Sequence, residues 1–382
     1  MSRVELRVQG VRFVGWTAIE VSVSIESACR TFSLEAIRQT DEPSIPVPRD
    51  ADCEVWLDGV KVCTGVTGKV SSTRTDKSNR LSVTGRSKTR EIVDCSIDGP
   101  GAWHGRTVGQ IAADVCDPYG IEVLDLAGDT TPIASFRARD PKEKAYSVIE
   151  RAARVRSLLV TDDAEGRLVL TRAGSTRAGT IQRGRNILES EVSGDSEGVY
   201  SEIRVKGVRT GDDGDFGAAL FADATATDNG PRRRRVLVVD TEGRGDAAAC
   251  QARARWEVAT RYGKSINLNY TVPDWRRDDG ALWTPNTITR VIDPTEYVDG
   301  AFLVVSAAYT MAADQFRTSL QLAPPEGFQL LELPTLATRG KKRDGVLLGV
   351  TDPGTIATTA RQSQDVRGDS GRNWALDLVE GR

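Results

Sequence analysis

The chain has 382 residues, of which 39% are hydrophobic and 27% are charged, and its formal net charge is -3. This composition supports a substantial core, which argues against global disorder, and the slightly acidic balance argues against a generally basic nucleic-acid-binding surface. No apolar run reaches the roughly 20 residues of a membrane span, and the N-terminus lacks the apolar core of a signal peptide. We therefore expect synthesis in a reducing cytoplasm.

Alternating apolar and polar residues dominate the first ninety positions. Three such runs lie at residues 19–25, 32–36 and 81–83. Short strands of this kind, each with one buried face and with turn signals nearby, predict a small antiparallel barrel or sandwich.

The six cysteines contain no CxxC motif, so a zinc ribbon or a redox motif has no support. An Asp-Gly pair at residues 58–59 predicts a two-residue hairpin turn. Pairing outward from this turn sets Val55 opposite Val62 and places Cys53 and Cys63 on opposite faces. We therefore expect no disulfide between them and six free thiols in all.

The middle of the chain predicts two helices. Thr107 and Gln110 form a capping box that starts the first helix, and residues 117–120 end it. The second helix is expected to begin at Asp140, with Pro141 as its first residue. The apolar stripes to be buried are Val108, Ile111, Ala112, Val115 and Cys116 on the first helix and Ala145, Val148, Ile149, Ala152 and Ala153 on the second.

A hairpin at residues 158–160 and 168–170 completes an α+β insert, and the β pattern then returns from about residue 190. Residues 212–231 are rich in Gly, Asp, Ala and Thr, which predicts a long mobile loop. A helix is expected over residues 246–262. Further alternating runs predict strands at residues 200–208, 266–272, 287–292, 301–309 and 316–322.

The last fifty residues carry few large apolar side chains and predict an extended segment without its own core. An apolar patch at residues 374–379, beginning with Trp374, ends this segment. Two interpretations stand side by side: a frayed terminus, or a docking segment for a partner.

Catalytic and metal-binding patterns are scarce, so we expect neither an enzyme nor a cofactor. The one histidine, His104, lies in a predicted loop, where a surface or packing role is the simpler interpretation. No G-x-S-x-G motif places a nucleophilic serine. The acidic pairs at residues 162–163, 212–213 and 278–279 fall in turn signals, where Asp is favoured for local hydrogen bonding.

A run of four arginines, Arg232, Arg233, Arg234 and Arg235, precedes the strand-like residues 236–239. The run is compatible with a solvated strand edge, with carboxylates of a neighbouring subunit, or with phosphates. Because the whole chain is acidic, we rank a solvated strand edge first, contact with a subunit or partner second and contact with nucleic acid third.

Four segments carry a family resemblance, in the same order along residues 10–325. They are Gly15-Trp16, the stretch from Gly85-Arg86-Ser87 to Val93-Asp94-Cys95-Ser96, Pro118-Tyr119-Gly120-Ile121, and the stretch from Gly280 to Asn286. Together they resemble the Mu-type tail protein P family, the baseplate hub proteins of contractile phage tails that are related to the late control protein D group. Glu91-Ile92 departs from the Asp-Leu pair that is commoner there.

The resemblance implies a homotrimer in which two tail-tube-like β-barrels per subunit form a pseudo-sixfold ring. Such a hub joins the tail tube to the central spike and passes the tape measure and later DNA. The implied partners are the central spike protein, the tail tube protein or an adjacent tube-initiator ring, baseplate wedge proteins and the tape measure protein. The implied location is the tail baseplate of the virion, after assembly in the host bacterial cytoplasm.

Together, the residues and the resemblance predict an α+β, mostly β chain with two antiparallel β-barrel domains flanking a smaller insert. We divide it into a first β-barrel at 1–96, an α+β insert at 97–188, a second β-barrel with one helix at 189–330 and an extended segment at 331–382. Arg232 to Arg235 and Trp374 are expected to contact other subunits or partners. Three alternatives stay open: a hub that also hydrolyses peptidoglycan or binds cell-wall carbohydrate, a secretion-system spike-hub protein, and a soluble enzyme.

Overall fold

The computed structural model describes residues 3–38, 46–76, 78–208, 221–228, 233–244 and 247–328. The chain is α+β and mostly β, as predicted. No helix in the described ranges is both long and apolar enough to cross a membrane.

The first β-domain is an antiparallel sheet in the spatial order β3-β4-β7-β6-β5-β1-β2. Buried and exposed residues alternate along β3 and β7, as the sequence predicts, because one face packs on the core. The strands are β1 (Val4–Val8), β2 (Val11–Phe13), β3 (Ala18–Ser24), β4 (Thr31–Arg38), β5 (Asp52–Leu57), β6 (Val60–Arg74) and β7 (Asn79–Ser87).

The predicted register of the β5–β6 hairpin is wrong beyond its first pairs. A β-bulge shifts the register between Trp56, which lies opposite Lys61, and Val55. Val55 therefore lies opposite Cys63 rather than Val62. Cys53 and Cys63 consequently both point into the core, 3% and 0% exposed, instead of facing opposite sides. The absence of a disulfide is confirmed, and all six cysteines are free.

The central unit, residues 89–171, follows the first β-domain. Its capping box at Thr107 and Gln110 is confirmed, and both predicted helical stripes are buried. The hairpin of β11 and β12 is also confirmed, with β9 added in parallel. The elements are α1 (Arg90–Asp94), β8 (Ala102–Arg106), α2 (Val108–Cys116), β9 (Val123–Asp125), β10 (Ile133–Arg137), α3 (Ala145–Val155), β11 (Leu159–Asp162) and β12 (Leu168–Thr171).

The predicted start of α3 at Asp140 is wrong, since the helix begins at Ala145. Asp140 instead accepts a hydrogen bond from the backbone N–H of Lys142 at 2.7 Å, within a turn. Lys144 forms an isolated β-bridge with Ser96, which keeps the chain extended up to the helix. The capping signal at Asp140 therefore closes a turn that precedes α3.

The rest of the described chain forms a second β-domain and a lateral unit inserted within it. The second β-domain has the spatial order β14-β18-β21-β20-β19-β13, and the lateral unit packs α4 on the sheet β16-β15-β17. The elements are β13 (Arg177–Gln182), β14 (Glu189–Gly194), β15 (Glu202–Val208), β16 (Phe221–Thr227), β17 (Val236–Arg244), α4 (Ala247–Lys264), β18 (Ile266–Pro273), β19 (Ile288–Asp293), β20 (Val298–Ala312) and β21 (Gln315–Ala323).

The long loop predicted at residues 212–231 is wrong in its described part, because β16 pairs there with β15. Ala222, Ala224 and Ala226 form the buried face of β16 against α4, where the Cys250 thiol donates to the Ala222 carbonyl. Alanine has a low strand propensity, so this face gave a weak signal in the sequence. Residues 212–220 and 229–231 lie outside the described residues.

The two β-domains share one sheet and one core. The second half of β20 pairs with β21 on one side and with β3 on the other, from Ser306 opposite Ser24 to Ala312 opposite Ala18. A single apolar cluster extends from the first β-domain into the second. We call the pairing of β3 with β20 the internal seam.

The two β-domains repeat the same design at a constant spacing. Val66 of β6 pairs with Arg86 of β7, and 237 positions later Leu303 pairs with Ala323. The register shift after Thr67 in β6 recurs, at the same spacing, after Val304 in β20. Hence β6 and β7 correspond to β20 and β21, and β3 and β4 correspond to β14 and β18.

Candidate interaction surfaces

His104, which the sequence places in a loop, lies on strand β8, and its side chain is exposed. Trp103 next to it is buried and donates its indole N–H to Asp114 at 3.1 Å, which fixes this strand. Over the described residues, no group of three or more His, Cys, Asp or Glu side chains is arranged to hold a metal ion.

The acidic pairs in the described chain form ion pairs. Asp162 is buried against Arg30 at 3.2 Å, and burial raises the pKa of its carboxyl despite the opposing effect of the guanidinium. Asp163 binds Arg167 at 2.6 Å. The pair at residues 278–279 likewise binds arginines at 2.7 and 3.0 Å, and the pair at 212–213 lies outside the described residues.

Arg235 is engaged within its own chain. Its guanidinium donates to the carbonyl oxygens of Ser196 at 2.7 Å and Glu197 at 2.5 Å. The same group lies over the Tyr200 ring, 5.0 Å from its centroid. Arg235 thus fastens the segment between β14 and β15 to the start of β17.

The neighbouring arginines are more exposed. Arg234 reaches Glu202 at 3.6 Å, but its side chain is 75% exposed, and Arg233 is exposed as well. Arg232 and Trp374 lie outside the described residues. Contact between this run and a partner stays a prediction.

The Gly85-to-Ser96 segment connects the first β-domain to the central unit. A Cβ at Gly85 would lie 2.2 Å from the Phe32 ring, so only glycine fits there. Arg86 forms an ion pair with Asp94 across α1, and Ile92 is fully buried in the core of the central unit. The family-like residues here serve the joint between two parts of the fold.

The Gly280-to-Asn286 segment connects the second β-domain to the stretch that directly follows the central unit, residues 172–174. The Asn286 side chain accepts a hydrogen bond from the Gly174 N–H at 2.7 Å and donates to the Arg172 carbonyl at 3.0 Å. Trp283 is buried, and its carbonyl accepts a hydrogen bond from the Tyr309 hydroxyl.

Arg3 ties the first β-domain to the second, a contact that sequence reasoning missed. Its guanidinium binds Asp58 at 2.6 Å and Asp274 at 2.7 Å and lies 3.8 Å from the centroid of the Phe316 ring. Burial alone would raise the pKa of Asp274, but the hydrogen bond from Arg3 holds it below its ordinary value. Because Arg3 and Asp274 lie far apart in the chain, no local pattern pointed to this contact.

Three family models match the chain. Residues 3–87 match the N-terminal domain of Mu phage baseplate assembly protein GpP-like, and residues 89–172 match the second domain of baseplate hub protein gp44-like. Residues 246–331 match the fourth domain of Mu phage baseplate assembly protein GpP. The boundary between the first two models coincides with the joint between β7 and α1.

Individual relatives agree with these models. Baseplate hub protein gp44 of Escherichia phage Mu is 33% identical over 362 residues, which covers 90% of this chain and 92% of that protein. The crystal structure of the 43 kDa tail protein of prophage MuSo2 from Shewanella oneidensis matches with a TM-score of 0.75 and 28% identity, covering 85% of this chain and 98% of that one.

The tail protein from Neisseria meningitidis MC58 shares the fold, with a TM-score of 0.74 and 23% identity over 84% of this chain and 96% of that one. The resemblance noted in the sequence is thus confirmed, and the chain belongs to the family of Mu-type phage baseplate hub proteins.

Proposed function

We propose that this protein is a structural subunit of the baseplate hub, and that three copies form a pseudo-sixfold ring between the tail tube and the central spike. The repeated β-domains joined at the internal seam carry this proposal, since three chains then supply six similar domains. Edge-to-edge joining covers strand edges, and closed symmetry stops further growth.

The proposed ring contacts the spike protein, the tail tube protein or a tube-initiator ring, and baseplate wedge proteins. Its channel passes the tape measure protein and later DNA. In this proposal the chain assembles in the bacterial cytoplasm and resides in the virion baseplate. Segments 1–96 and 189–330, together with β13, form the ring, the rest of 97–188 projects from it, and 331–382, with Trp374, extends toward a partner together with the arginines at 232–235.

The test of the ring is the absolute mass of the purified full chain by light scattering, combined with electron microscopy. We expect a trimer whose projections show six lobes around a hole. A monomer that persists at high protein concentration would overturn the ring.

The proposed role is mechanical rather than catalytic. Support comes from the exposed position of His104 on β8 and from the ion pairs that the described acidic pairs form with arginines. A turbidity assay on bacterial cell walls tests this part, and clearing by the purified protein would contradict it.

A further inference from the structure

The internal seam has a counterpart in the repeat. On the side of β6 away from β7, pairing with β5 ends at Val66, and over residues 68–71 no strand of the described chain continues it. At the corresponding place on β20, β3 continues the sheet. The strand that corresponds to β3 is β14, and among the described strands β14 pairs with β18 alone.

We propose that β14 of one copy pairs antiparallel with β6 of the next copy, in the register that β3 adopts with β20. This pairing rests on the proposed ring and identifies the strands that close it. The internal seam then alternates around the ring with this seam between copies, and both have the same geometry.

The equivalence of β14 with β3 follows from their partners. Val21 of β3 pairs with Phe32, and Val192 of β14 pairs with Leu268, at corresponding places in the two sheets. The inward-facing residues also correspond, but their burial differs. Val21 is 0% exposed at the internal seam, whereas Val192 is half-buried.

The edge of β6 shows the same incomplete burial. Ala307 of β20 is 1% exposed beneath the internal seam, whereas its counterpart Val70 is half-buried at the edge of the core. Pairing with β14 would cover Val70, and it would cover Val192 on the other copy. Each of the two strands therefore has a half-buried valine on its core-facing side, and a neighbouring strand would complete the burial of that side chain.

The register follows from the 237 positions that separate β6 from its counterpart β20 and the 171 positions that separate Val21 of β3 from its counterpart Val192 of β14. Ser306 lies opposite Ser24 and Ala308 opposite Ser22 in the internal seam. Transferred to β6 and β14, these pairs become Lys69 opposite Asp195 and Ser71 opposite Ser193. The next outward-facing pair is Thr73 opposite Glu191.

The charges suit this register. Lys69 is exposed on β6, Glu191 is exposed on β14, and Asp195 is exposed directly after the end of β14. The corresponding pair at the internal seam, Ser24 with Ser306, is neutral. Opposite charges placed directly across two antiparallel strands stabilise the pairing, and the same arrangement disfavours two copies of β14 meeting each other.

Disulfide trapping tests the pairing in the full chain. In the internal seam, the Ile25 N–H donates to the Val305 carbonyl at 2.9 Å, so Ala308 and Ser22 form a non-hydrogen-bonded pair. In such pairs the Cα atoms lie about 4.5 Å apart, within reach of a disulfide. We expect Ser71→Cys/Ser193→Cys to link copies under mild oxidation into dimers and closed trimers, with nothing larger.

The matched controls are each single variant and Ser71→Cys/Glu191→Cys, which offsets the thiols by two positions to about 7–8 Å. These proteins are expected to cross-link far less than the matched pair. A second measurement uses charge: Lys69→Glu and Asp195→Lys each weaken trimer association about two- to fivefold per contact, and the double reversal restores it.

The outcomes separate the pairing from the ring. Trimers that cross-link in the matched register and respond to the charge swap support the pairing. A trimer by light scattering whose matched variant cross-links no more than its controls overturns the pairing and leaves the ring intact. A monomer at every concentration overturns both.

Discussion

Asp293, the last residue of β19, forms a two-point ion pair with Arg183, at 2.7 and 3.1 Å, just beyond the end of β13. The carboxylate is fully buried and also accepts a hydrogen bond from the Thr295 hydroxyl at 2.6 Å. Burial alone would raise the pKa of Asp293, but the hydrogen bonds from Arg183 and Thr295 hold it below its ordinary value. The ion pair thus fastens the parallel pairing of β13 with β19.

We expect Asp293→Asn to lower the free energy of unfolding at pH 7 by about 2–4 kcal/mol, since it leaves Arg183 without its counter-charge. The folded-state pKa lies below the unfolded value of about 3.9, so the contribution of this group is present above that pH and is lost as pH falls through the folded-state pKa. Urea unfolding from pH 7 to pH 3 measures this effect. The difference in the free energy of unfolding between wild type and variant should decrease towards pH 3. A difference that stays constant with pH would contradict the lowered pKa of Asp293.

Gly263→Ala is expected to lower the free energy of unfolding by about 1–3 kcal/mol, although alanine favours helices. A Cβ at Gly263 of α4 would lie 2.4 Å from the Gly327 Cα, so the two backbones touch. Gly198→Ala is the matched control, because nothing lies within 4 Å of a Cβ there. Thermal unfolding compares the two variants, and a stabilised Gly263→Ala protein would show that the backbones have room.

Arg235→Ala should lower the free energy of unfolding by about 1–2 kcal/mol, because it removes two charge-assisted hydrogen bonds to backbone carbonyls. Arg233→Ala, at an exposed neighbour, should change it by less than about 0.5 kcal/mol. If Arg233 contacts a partner, its substitution weakens association without changing stability. Urea unfolding of both variants measures this difference, and an equal decrease in the free energy of unfolding would contradict the distinct role of Arg235.

Thiol labelling tests the corrected hairpin register. Burial raises the pKa of Cys53 to about 12 and raises that of Cys63 well above its ordinary value. We expect neither to react with iodoacetamide at pH 8 in the folded protein, while the half-buried Cys95 reacts and all six react in denaturant. Mass spectrometry of the labelled peptides measures this, and rapid labelling of either buried thiol would place it at the surface.

The features that the sequence predicted well are encoded locally. The capping box at Thr107 and Gln110 reports on a few neighbouring residues, and the structure forms it as predicted. The alternation in β3 and β18 reports on one buried face, and the same residues are buried. Each pattern lies within a single element, so the prediction made from it does not depend on a distant residue.

The errors have local causes as well. One extra residue in β6 moves Cys63 to the core face, and no turn signal marks that bulge. The cap at Asp140 is real but belongs to a turn, because Glu143 binds Arg151 and the backbone of Arg139 instead of starting α3. At Asp140 the short-range capping rule met competing hydrogen bonds of Glu143, which outweighed it.

The candidate interaction surfaces were least predictable, because distant partners define them. The internal seam joins Val21 to Tyr309, and the Arg3 contact reaches Asp274. In neither pair do the residues next to either partner in the sequence form a pattern that indicates the contact. The arginine run and the patch at Trp374 were visible in the sequence, and Arg235 of that run binds its own chain.

The internal seam also sets an order of events during synthesis. β3 leaves the ribosome early, whereas β20, its partner, is made almost 300 residues later. At typical elongation rates this interval lasts about 15–60 s. Throughout it β3 has a bare edge that fits any strand of suitable pattern, including one on another nascent chain of the same polysome. Faster translation should therefore raise the share of chains that pair β3 with their own β20.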